Sequence, residues 1–323
     1  MPKASDRSGV LLLNKNPGLT SFESLFAVKR AFNTRKVGHT GTLDKFASGL
    51  LIVLIGKALK IAPWFSFCDK EYEAVIRFGV ETATLDPEGE VVGKGPLPSR
   101  EAVEKALENF RGEILQAPPL YSAIHVDGVR AHEIARSGRQ VEMKKRPVTV
   151  YEIELSSWDP PLAGLKVRCS AGTYIRSLAR DIALAAGSRG HLASLCRTRI
   201  GGFKLQDAAN AENLNSALKP LSPTIFNALN MELFFVDISD VQNIIHGKVF
   251  SQVFGLYKKY LDLPAAGDDR QPPEGRPFIP NVSAVFYNDE SYNDELAAII
   301  ECKDGKWKYN RVFAADKGCN IPD

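Results

Sequence analysis

The sequence has no stretch of apolar residues long enough to cross a membrane. A spanning helix needs about 20 such residues, and the longest apolar run, Leu50 to Ile55, has the length of a strand. The first ten residues also lack the apolar core of a secretory signal. We therefore expect a cytoplasmic protein that has no membrane partner.

Paired cysteines and closely spaced histidines are missing as well. The five cysteines are odd in number and no two form a C-x-x-C pair, and the five histidines include no H-x-x-x-H pair. These absences argue against a disulfide framework and against a zinc site. We predict no metal site.

Positive charge is unevenly distributed along the chain, although the net charge is only +3. Residues 1–229 carry 31 Lys and Arg against 23 Asp and Glu, whereas residues 230–323 carry 10 against 15. A basic body beside an acidic tail is typical of a protein whose first part binds a polyanion. An ordinary solvated surface explains the same numbers equally well.

The pattern of elements predicts an α+β fold. Thr20 and Glu23 fit a capping box ahead of an amphipathic helix that should turn Phe22, Leu25, Phe26 and Val28 inward. Strand signals and helix signals interleave irregularly through residues 1–229, and several strands lack a crossover helix between them. This favours a mixed, largely antiparallel sheet with flanking helices over a doubly wound parallel sheet. Residues 230–323 predict a small C-terminal β domain, and the segment 263–280, rich in Pro, Gly and Asp, predicts a flexible insertion within it.

A glycine-rich segment, residues 38–44 together with residues 46–49 that follow, contains one acid and one histidine among three glycines and two threonines. It lacks the ending of a phosphate-binding P-loop and fits no dinucleotide fingerprint. Such a loop can present Asp44 and His39 to a cleft, because glycines allow the backbone to turn tightly and approach a ligand. A structural turn with Asp44 as a cap is the alternative.

Three further segments carry candidate functional residues. Alternation along residues 71–80 puts Tyr72 on the apolar face of a strand, where it is either a core residue or a ring for stacking. Arg176 and Arg180 lie one turn apart on a predicted helix, a repulsive spacing that a nearby anion would explain. Residues 191–199 contain Arg197 and Arg199 and form a basic stretch suited to phosphates.

In this order, the segments resemble the bacterial tRNA pseudouridine-55 synthase family, the TruB family. The glycine-rich segment GHTGTLD is highly specific, and its combination with GTYIR at residues 172–176 strengthens the assignment. The resemblance covers about the first 205 residues. The matching segments are residues 9–15, 38–44, 70–72, 118–123, 146–150, 172–176 and 195–203.

The resemblance implies a function and a set of roles. The family isomerises uridine-55 of the tRNA T-loop to pseudouridine without a cofactor, by flipping the base, breaking the C1′–N1 bond and rejoining the ring through C5. Asp44 matches its essential aspartate, Tyr72 the tyrosine that stacks on the base and helps to remove the C5 proton, and Arg176 the arginine that pairs with the aspartate. His39, Tyr174 and Leu195 match residues that line the site. The role of the aspartate stays open between attack on the base, attack on the sugar and removal of the 2′ proton.

Other expectations concern partners and departures from the family. The resemblance implies a monomer that acts on the T-arm of tRNA without an obligatory protein partner or guide RNA. It also implies a PUA-like C-terminal domain. Arg180, Arg197 and Arg199 are predicted to contact the RNA backbone. Lys45 stands where the family usually has proline, Ala83 where an aspartate is usual, and Cys196 where an arginine is usual.

Three rival functions are considered. The first is a module that binds tRNA without catalysis, against which the retained catalytic residues argue. The second is an RNA-guided synthase within a ribonucleoprotein, whose basic extensions are not seen in this sequence. The third is a phosphate-binding hydrolase, for which the P-loop and metal ligands are missing.

Overall fold

The computed structural model describes residues 7–122, 124–126, 129–130, 143–211, 213–236, 243–244, 246, 282–287, 296–303 and 306–313. The predicted insertion at 263–280 lies outside these residues. None of the helices in the described segments is long and apolar enough to span a bilayer.

Strands make up most of the described structure. In chain order they are β1 (Gly9–Lys15), β2 (Val37–Thr40), β3 (Ser48–Ile55), β4 (Lys70–Phe78), β5 (Val80–Thr82), β6 (Val91–Lys94), β7 (Gly112–Gln116), β8 (His125–Val126), β9 (Val129–Arg130), β10 (Arg146–Asp159), β11 (Leu162–Cys169), β12 (Gly190–Ile200), β13 (Phe203–Lys204), β14 (Glu232–Val236), β15 (Val282–Tyr287), β16 (Leu296–Lys303) and β17 (Lys306–Val312). The α-helices are α1 (Ser21–Ala31), α2 (Ala62–Phe65), α3 (Arg100–Glu108), α4 (Ile175–Ala185) and α5 (Pro223–Ala228). Short 3₁₀ turns occupy Gly56–Ile61 and Leu205–Asp207.

The main sheet has nine strands and is mixed. Its order is β1-β3-β12-β4-β11-β10-β7, with β2 paired to β3 and β13 paired to β12. Among its described strand pairs only β3 and β12 run parallel; the others are antiparallel. The predicted α+β class with a largely antiparallel sheet is therefore confirmed.

The parallel contact between β3 and β12 depends on Gly49. Its φ angle is +102°, and a Cβ atom there would lie 2.4 Å from the backbone oxygen of Arg197. Only glycine tolerates both the positive φ and this close approach. The contact brings the start of β3, and with it the loop that carries Asp44, directly against β12.

A second sheet follows the first and packs against it. Strands β14 to β17 pair in sequence order, β14 with β15 in parallel and the rest antiparallel. Side chains of both sheets join one hydrophobic cluster, which includes Leu50, Ile52, Phe226, Phe235 and Phe286. A second sheet in the tail agrees with the predicted β domain; the boundary at residue 230 and the PUA-like form stay predictions.

Helix α1 begins at the predicted residues, but part of its predicted inward face is exposed. The Thr20 hydroxyl accepts from the Glu23 amide at 3.1 Å, and the Glu23 carboxylate accepts from the Thr20 amide at 2.7 Å, which forms the predicted capping box. Leu25 is buried in the core as expected. The expectation that Phe22 and Phe26 also point inward is wrong, because their side chains remain 58% and 50% exposed.

Candidate active site

The glycine-rich segment forms the end of β2 and a loop that leads into β3. Gly41 turns the chain with a φ of +73°. The Ser21 hydroxyl, at the start of α1, accepts from the Leu43 amide at 2.8 Å and donates to the Leu43 carbonyl at 3.0 Å. These bonds fasten the residue before Asp44 to the first turn of α1.

Lys15 holds the other side of the loop. Its buried ammonium donates to the carbonyls of Ala47 at 2.6 Å, Asn16 at 3.1 Å and Lys45 at 3.3 Å. Burial lowers the pKa of Lys15 to about 8, while the nearby Asp44 carboxylate acts in the opposite direction. The Lys45 carbonyl also accepts from the Gly18 amide at 2.8 Å, so the backbone at this departure from the family pattern is anchored twice.

Asp44 pairs with Arg176, as expected from the sequence. The Nη2 atom of Arg176 lies 3.0 Å from Oδ1 of Asp44. The arginine is buried on α4, whereas the aspartate keeps 36% of its side-chain surface exposed. A fixed buried cation thus orients a carboxylate that a ligand can still reach.

Asp86 is a second carboxylate on the same guanidinium, and the sequence reading missed it. Its Oδ2 lies 3.3 Å from Nη1 of Arg176, and its side chain is buried. The Thr84 hydroxyl and the Glu88 amide donate to its Oδ1. Position 83 has alanine where the family usually has an aspartate. The acid that binds Arg176 is Asp86, three residues later. The only sequence signal was an acid in a segment of turn residues.

Arg176 also donates to two backbone carbonyls. These are Thr84 O at 2.9 Å and Tyr121 O at 3.1 Å. Two carboxylates and two carbonyls therefore fix the plane of the guanidinium. The rigid support explains how Arg176 can hold Asp44 in one orientation.

The pKa of Asp44 is raised. Burial is the largest cause, the Arg176 charge opposes it, and the Asp86 charge adds to the rise. Arg176 is thus shared between two carboxylates and only partly offsets the loss of water around Asp44. The sequence predicts Arg176 alone as the partner of this aspartate. The charge of Asp86 acts against Arg176, because it raises the pKa of Asp44.

Tyr72 lies close to this carboxylate, on the buried face of β4. The Asp44 charge and the Arg197 guanidinium both act on its phenol, and burial raises the pKa of Tyr72 to about 12. In the sheet, Tyr72 is opposite Val167 on β11 and Arg197 on β12. The phenol therefore carries its proton at neutral pH.

The three predicted lining residues lie around the same core. Leu195 is buried in one cluster with Leu43 and Tyr72. Tyr174 precedes α4, and its backbone exchanges two hydrogen bonds with the side chain of Gln116, of 2.8 and 3.1 Å. The sequence reading missed Gln116, because nothing in the chain pairs it with residue 174.

His39 is half-buried on β2. Its Nδ1 atom is buried and has no hydrogen-bond partner among the described residues. Burial and the Arg197 charge lower its pKa, so the ring is neutral at physiological pH.

The arginines predicted to contact RNA have different environments. Residues 191–199 are not a surface segment but part of the central strand β12, so the placement of Arg197 and Arg199 contradicts a backbone-contact role for both. Arg197 is 1% exposed and donates to the carbonyls of Leu50 and Gly41, each at 2.9 Å. Arg199 is 8% exposed and lies 3.5 Å from the Asp69 carboxylate. The arginines of this segment made it resemble a charged surface stretch, so that its alternation as a buried strand was not recognised.

Arg180 remains available at the edge of a basic cleft. It pairs with the neighbouring Asp181 at 2.8 Å and lines a cavity of about 590 Å³ together with Lys144 and Lys145. The cavity wall also includes Leu120, next to Tyr121, whose carbonyl binds Arg176. The cleft therefore adjoins the site. Among the described residues no three His, Cys, Asp or Glu side chains form a group that could hold a metal ion.

Comparisons with known proteins agree with this geometry. A family model described as the TruB family pseudouridylate synthase, N-terminal domain, matches residues 29–175. The tRNA pseudouridine synthase B of Borreliella burgdorferi (strain ZS7) is 50% identical over 213 residues, which cover 65% of this chain and 76% of that protein. The tRNA pseudouridine synthase B of Francisella tularensis subsp. novicida (strain U112) is 43% identical over 312 residues, or 96% of each chain.

A solved structure of a Cbf5–Nop10–Gar1 complex contains a chain of similar fold. Its TM-score is 0.65 at 26% sequence identity, and the match covers 94% of this chain and 84% of that one. The family predicted from the sequence motifs is confirmed by the long relatives and the family model. The chain belongs to the TruB family of pseudouridylate synthases.

Proposed function

We propose that the protein is a tRNA pseudouridine-55 synthase that uses Asp44 as its reacting carboxylate. The observation that carries the proposal is the arrangement of Asp44, Arg176 and Tyr72: an accessible acid on a buried arginine held by two carboxylates and two carbonyls, beside a buried phenol. The names of the two relatives, both tRNA pseudouridine synthase B, support the substrate class.

The chemistry needs few groups. The C1′–N1 bond breaks, the uracil turns, C5 bonds to C1′, and the C5 proton passes to N1, so that no atom is gained or lost. A carboxylate either attacks the base or the sugar or takes the 2′ proton, and each role requires the ionised form of Asp44. Arg176 orients that form and opposes its protonation.

Tyr72 serves the same reaction in two ways. Its ring offers a stacking surface for the flipped uracil, which compensates part of the few kcal/mol that unstacking costs. Its hydroxyl takes part in the transfer of the C5 proton. Arg197 only partly opposes the rise that burial causes in the pKa of Tyr72, so the hydroxyl enters this transfer in its protonated form. His39, Tyr174 and Leu195 line the pocket of the base.

The substrate we propose is the T-arm of tRNA, bound by a monomer in the cytoplasm without guide RNA or partner. Arg180, Lys144 and Lys145 line a cleft that adjoins the site and suits phosphates. The solved structural neighbour is a complex with Nop10 and Gar1, and RNA guidance is therefore the second candidate.

One reaction tests both candidates. Purified protein is incubated with unmodified transcript tRNA alone, and the product is mapped by mass spectrometry after nuclease digestion. We expect pseudouridine at position 55 of the T-loop and nowhere else. Absence of product with tRNA alone, but formation after addition of cellular RNA and extract, would favour a guided enzyme; a product at another position would reject the proposed site.

A further inference from the structure

The exposed face of α1 carries an aromatic pair that the proposed reaction does not use. Phe22 and Phe26 lie one turn apart with ring centroids 5.5 Å from each other, edge to face. They are 58% and 50% exposed, and Leu19 before them is 44% exposed. Large exposed aromatic side chains grouped in this way mark interaction surfaces more often than chance.

Positive charge accompanies the pair. The ammonium of Lys29 lies over both rings, 4.6 Å from the centroid of Phe22 and 5.5 Å from that of Phe26. Arg30, Arg35 and Lys36 follow along the same segment and are exposed. The sequence has no acidic residue between Glu23 and Asp44.

Among the described residues, no ion pair compensates these cations. No described carboxylate lies within 4.0 Å of Lys29, Arg30, Arg35 or Lys36. A surface that combines aromatic rings with uncompensated cations is complementary to single-stranded nucleic acid, whose bases stack and whose phosphates bind cations. An apolar protein partner would explain the rings but not the charges.

The surface is continuous with the candidate active site. The first turn of α1 is bonded to the catalytic loop through Ser21 and Leu43, and Phe22 is the next residue. From Phe22 the surface runs along α1 to Arg30, and Arg35 and Lys36 then lead into β2, which carries His39 back to the site. RNA bound at Asp44 therefore passes close to this face.

We propose that this face, defined as Phe22, Phe26, Lys29, Arg30, Arg35 and Lys36, is a second RNA-binding surface. It stacks an unpaired tRNA base other than the target and holds the adjoining phosphates. The inference rests on the proposed function for the identity of the RNA. It assigns binding, not catalysis, to these residues.

The test measures binding and turnover separately. In an Asp44→Asn background, the Phe22→Ala/Phe26→Ala double variant should weaken binding of transcript tRNA about tenfold, which is within the range for the loss of one stacked base. In the active enzyme the same double variant should raise KM by a similar factor and leave kcat at saturating tRNA unchanged. Phe67→Ala is the matched control, since Phe67 is 57% exposed but belongs to another segment, between α2 and β4, and should change binding less than twofold.

Two further variants separate the forces. Phe22→Tyr/Phe26→Tyr keeps the aromatic rings and should bind tRNA as the wild type does. This result would show that the Ala double variant loses binding because it lacks the rings, not because it misfolds. Replacing Arg30, Arg35 and Lys36 by glutamine should lower the slope of log Kd against log salt by about two, since each phosphate contact contributes roughly 0.7 for a single strand.

Several results would overturn the surface. The first is unchanged tRNA binding by the Phe22→Ala/Phe26→Ala variant, and the second is an equal loss of tRNA binding by Phe67→Ala. The third is self-association of the wild type that the double variant abolishes while its tRNA binding stays unchanged. The binding arm does not depend on turnover. A wild type that binds tRNA through this face but makes no pseudouridine would reject the proposed function and retain the surface.

Discussion

At the scale of single residues, the site depends on one arginine that serves two acids. Arg176 binds Asp44 at 3.0 Å and Asp86 at 3.3 Å, and only Asp44 is exposed enough to meet a substrate. Asp86 touches no reacting atom in this arrangement and acts on Asp44 through the shared guanidinium. It is therefore a positioning residue.

The pH dependence of Asp86→Asn tests that role. The pKa of Asp44 is raised, so activity that needs its carboxylate is lost as the pH falls through this raised value. Removal of the Asp86 charge lowers the pKa of Asp44, and the acidic limb of kcat/KM, which reports the free enzyme, should move to lower pH. At neutral pH we expect a several-fold lower kcat, because Arg176 loses an anchor.

The control for this profile is Asp159→Asn, at the exposed end of β10, which should leave both the limb and kcat unchanged. An acidic limb in Asp86→Asn that stays in place or moves to higher pH would contradict the coupling between the two acids.

Tyr72 allows stacking and proton transfer to be separated. Tyr72→Phe keeps the ring but removes the hydroxyl, so tRNA binding should stay within a few-fold while turnover falls by at least ~10²-fold, the lower range for a lost acid–base group. Tyr72→Ala should lose binding as well. Tritium release from tRNA labelled at uridine C5 gives the turnover; near-normal release by Tyr72→Phe would restrict the residue to stacking.

At the scale of elements, the catalytic loop is held between α1 and β1. Ser21 binds it from the helix and Lys15 from the strand. We expect Lys15→Met to lower the melting temperature by several degrees, because it leaves the buried carbonyl of Ala47 unsatisfied at a cost of about 1–3 kcal/mol. Differential scanning calorimetry measures the shift.

Lys57→Met is the matched control, since Lys57 is exposed, and should unfold at the wild-type temperature. If Lys15→Met is as stable as this control, the lysine does not hold the loop.

Elements with a local signal could be predicted, and those defined by distant contacts could not. The capping box of Thr20 and the alternation through Tyr72 depend on neighbouring residues, and both predictions are confirmed. Strand β12 is central and pairs with β3 and β4, yet its arginines suggested a surface segment. Most of the groups that bind these arginines lie far away in sequence, such as the carbonyls of Leu50 and Gly41 and the carboxylate of Asp69.

The same distinction applies to the site. Motifs of the family mark Asp44, Tyr72 and Arg176, and the pairing of Asp44 with Arg176 was predicted from them; the catalytic roles of the three residues stay predictions. Asp86 and Gln116 could not be predicted, since their importance comes from contacts across 90 and 58 residues of sequence. On α1 the helix was predicted but its buried face was not, because a hydrophobic pattern alone does not distinguish a core face from a binding face.

At the scale of the whole molecule, the two sheets are joined by a common core. Phe286 of the second sheet contacts Phe226 and Phe235, with ring centroids 5.5 and 5.9 Å away. A chain ending at residue 229 would expose the apolar side chains that face this ring. We therefore expect the fragment to melt at a lower temperature than the full chain and to bind a hydrophobic dye.

Phe286→Ala makes the same test without truncation. Loss of the buried ring leaves a cavity and should lower the free energy of unfolding by about 3–5 kcal/mol. Phe67→Ala at the surface should leave the free energy of unfolding nearly unchanged. A fragment 1–229 as stable as the whole chain would show that the predicted domains fold independently.

The central claim is that the Asp44 carboxylate performs the isomerisation, and the most direct measurement is pseudouridine formation by Asp44→Asn on transcript tRNA. The amide keeps the size of the side chain but cannot act as an anion. Asp207→Asn, at an exposed acid, is the control and should behave as wild type. We predict that Asp44→Asn forms no pseudouridine at position 55 while its Kd for tRNA stays within a few-fold of the wild-type value. Turnover by Asp44→Asn near that of the wild type would contradict the account.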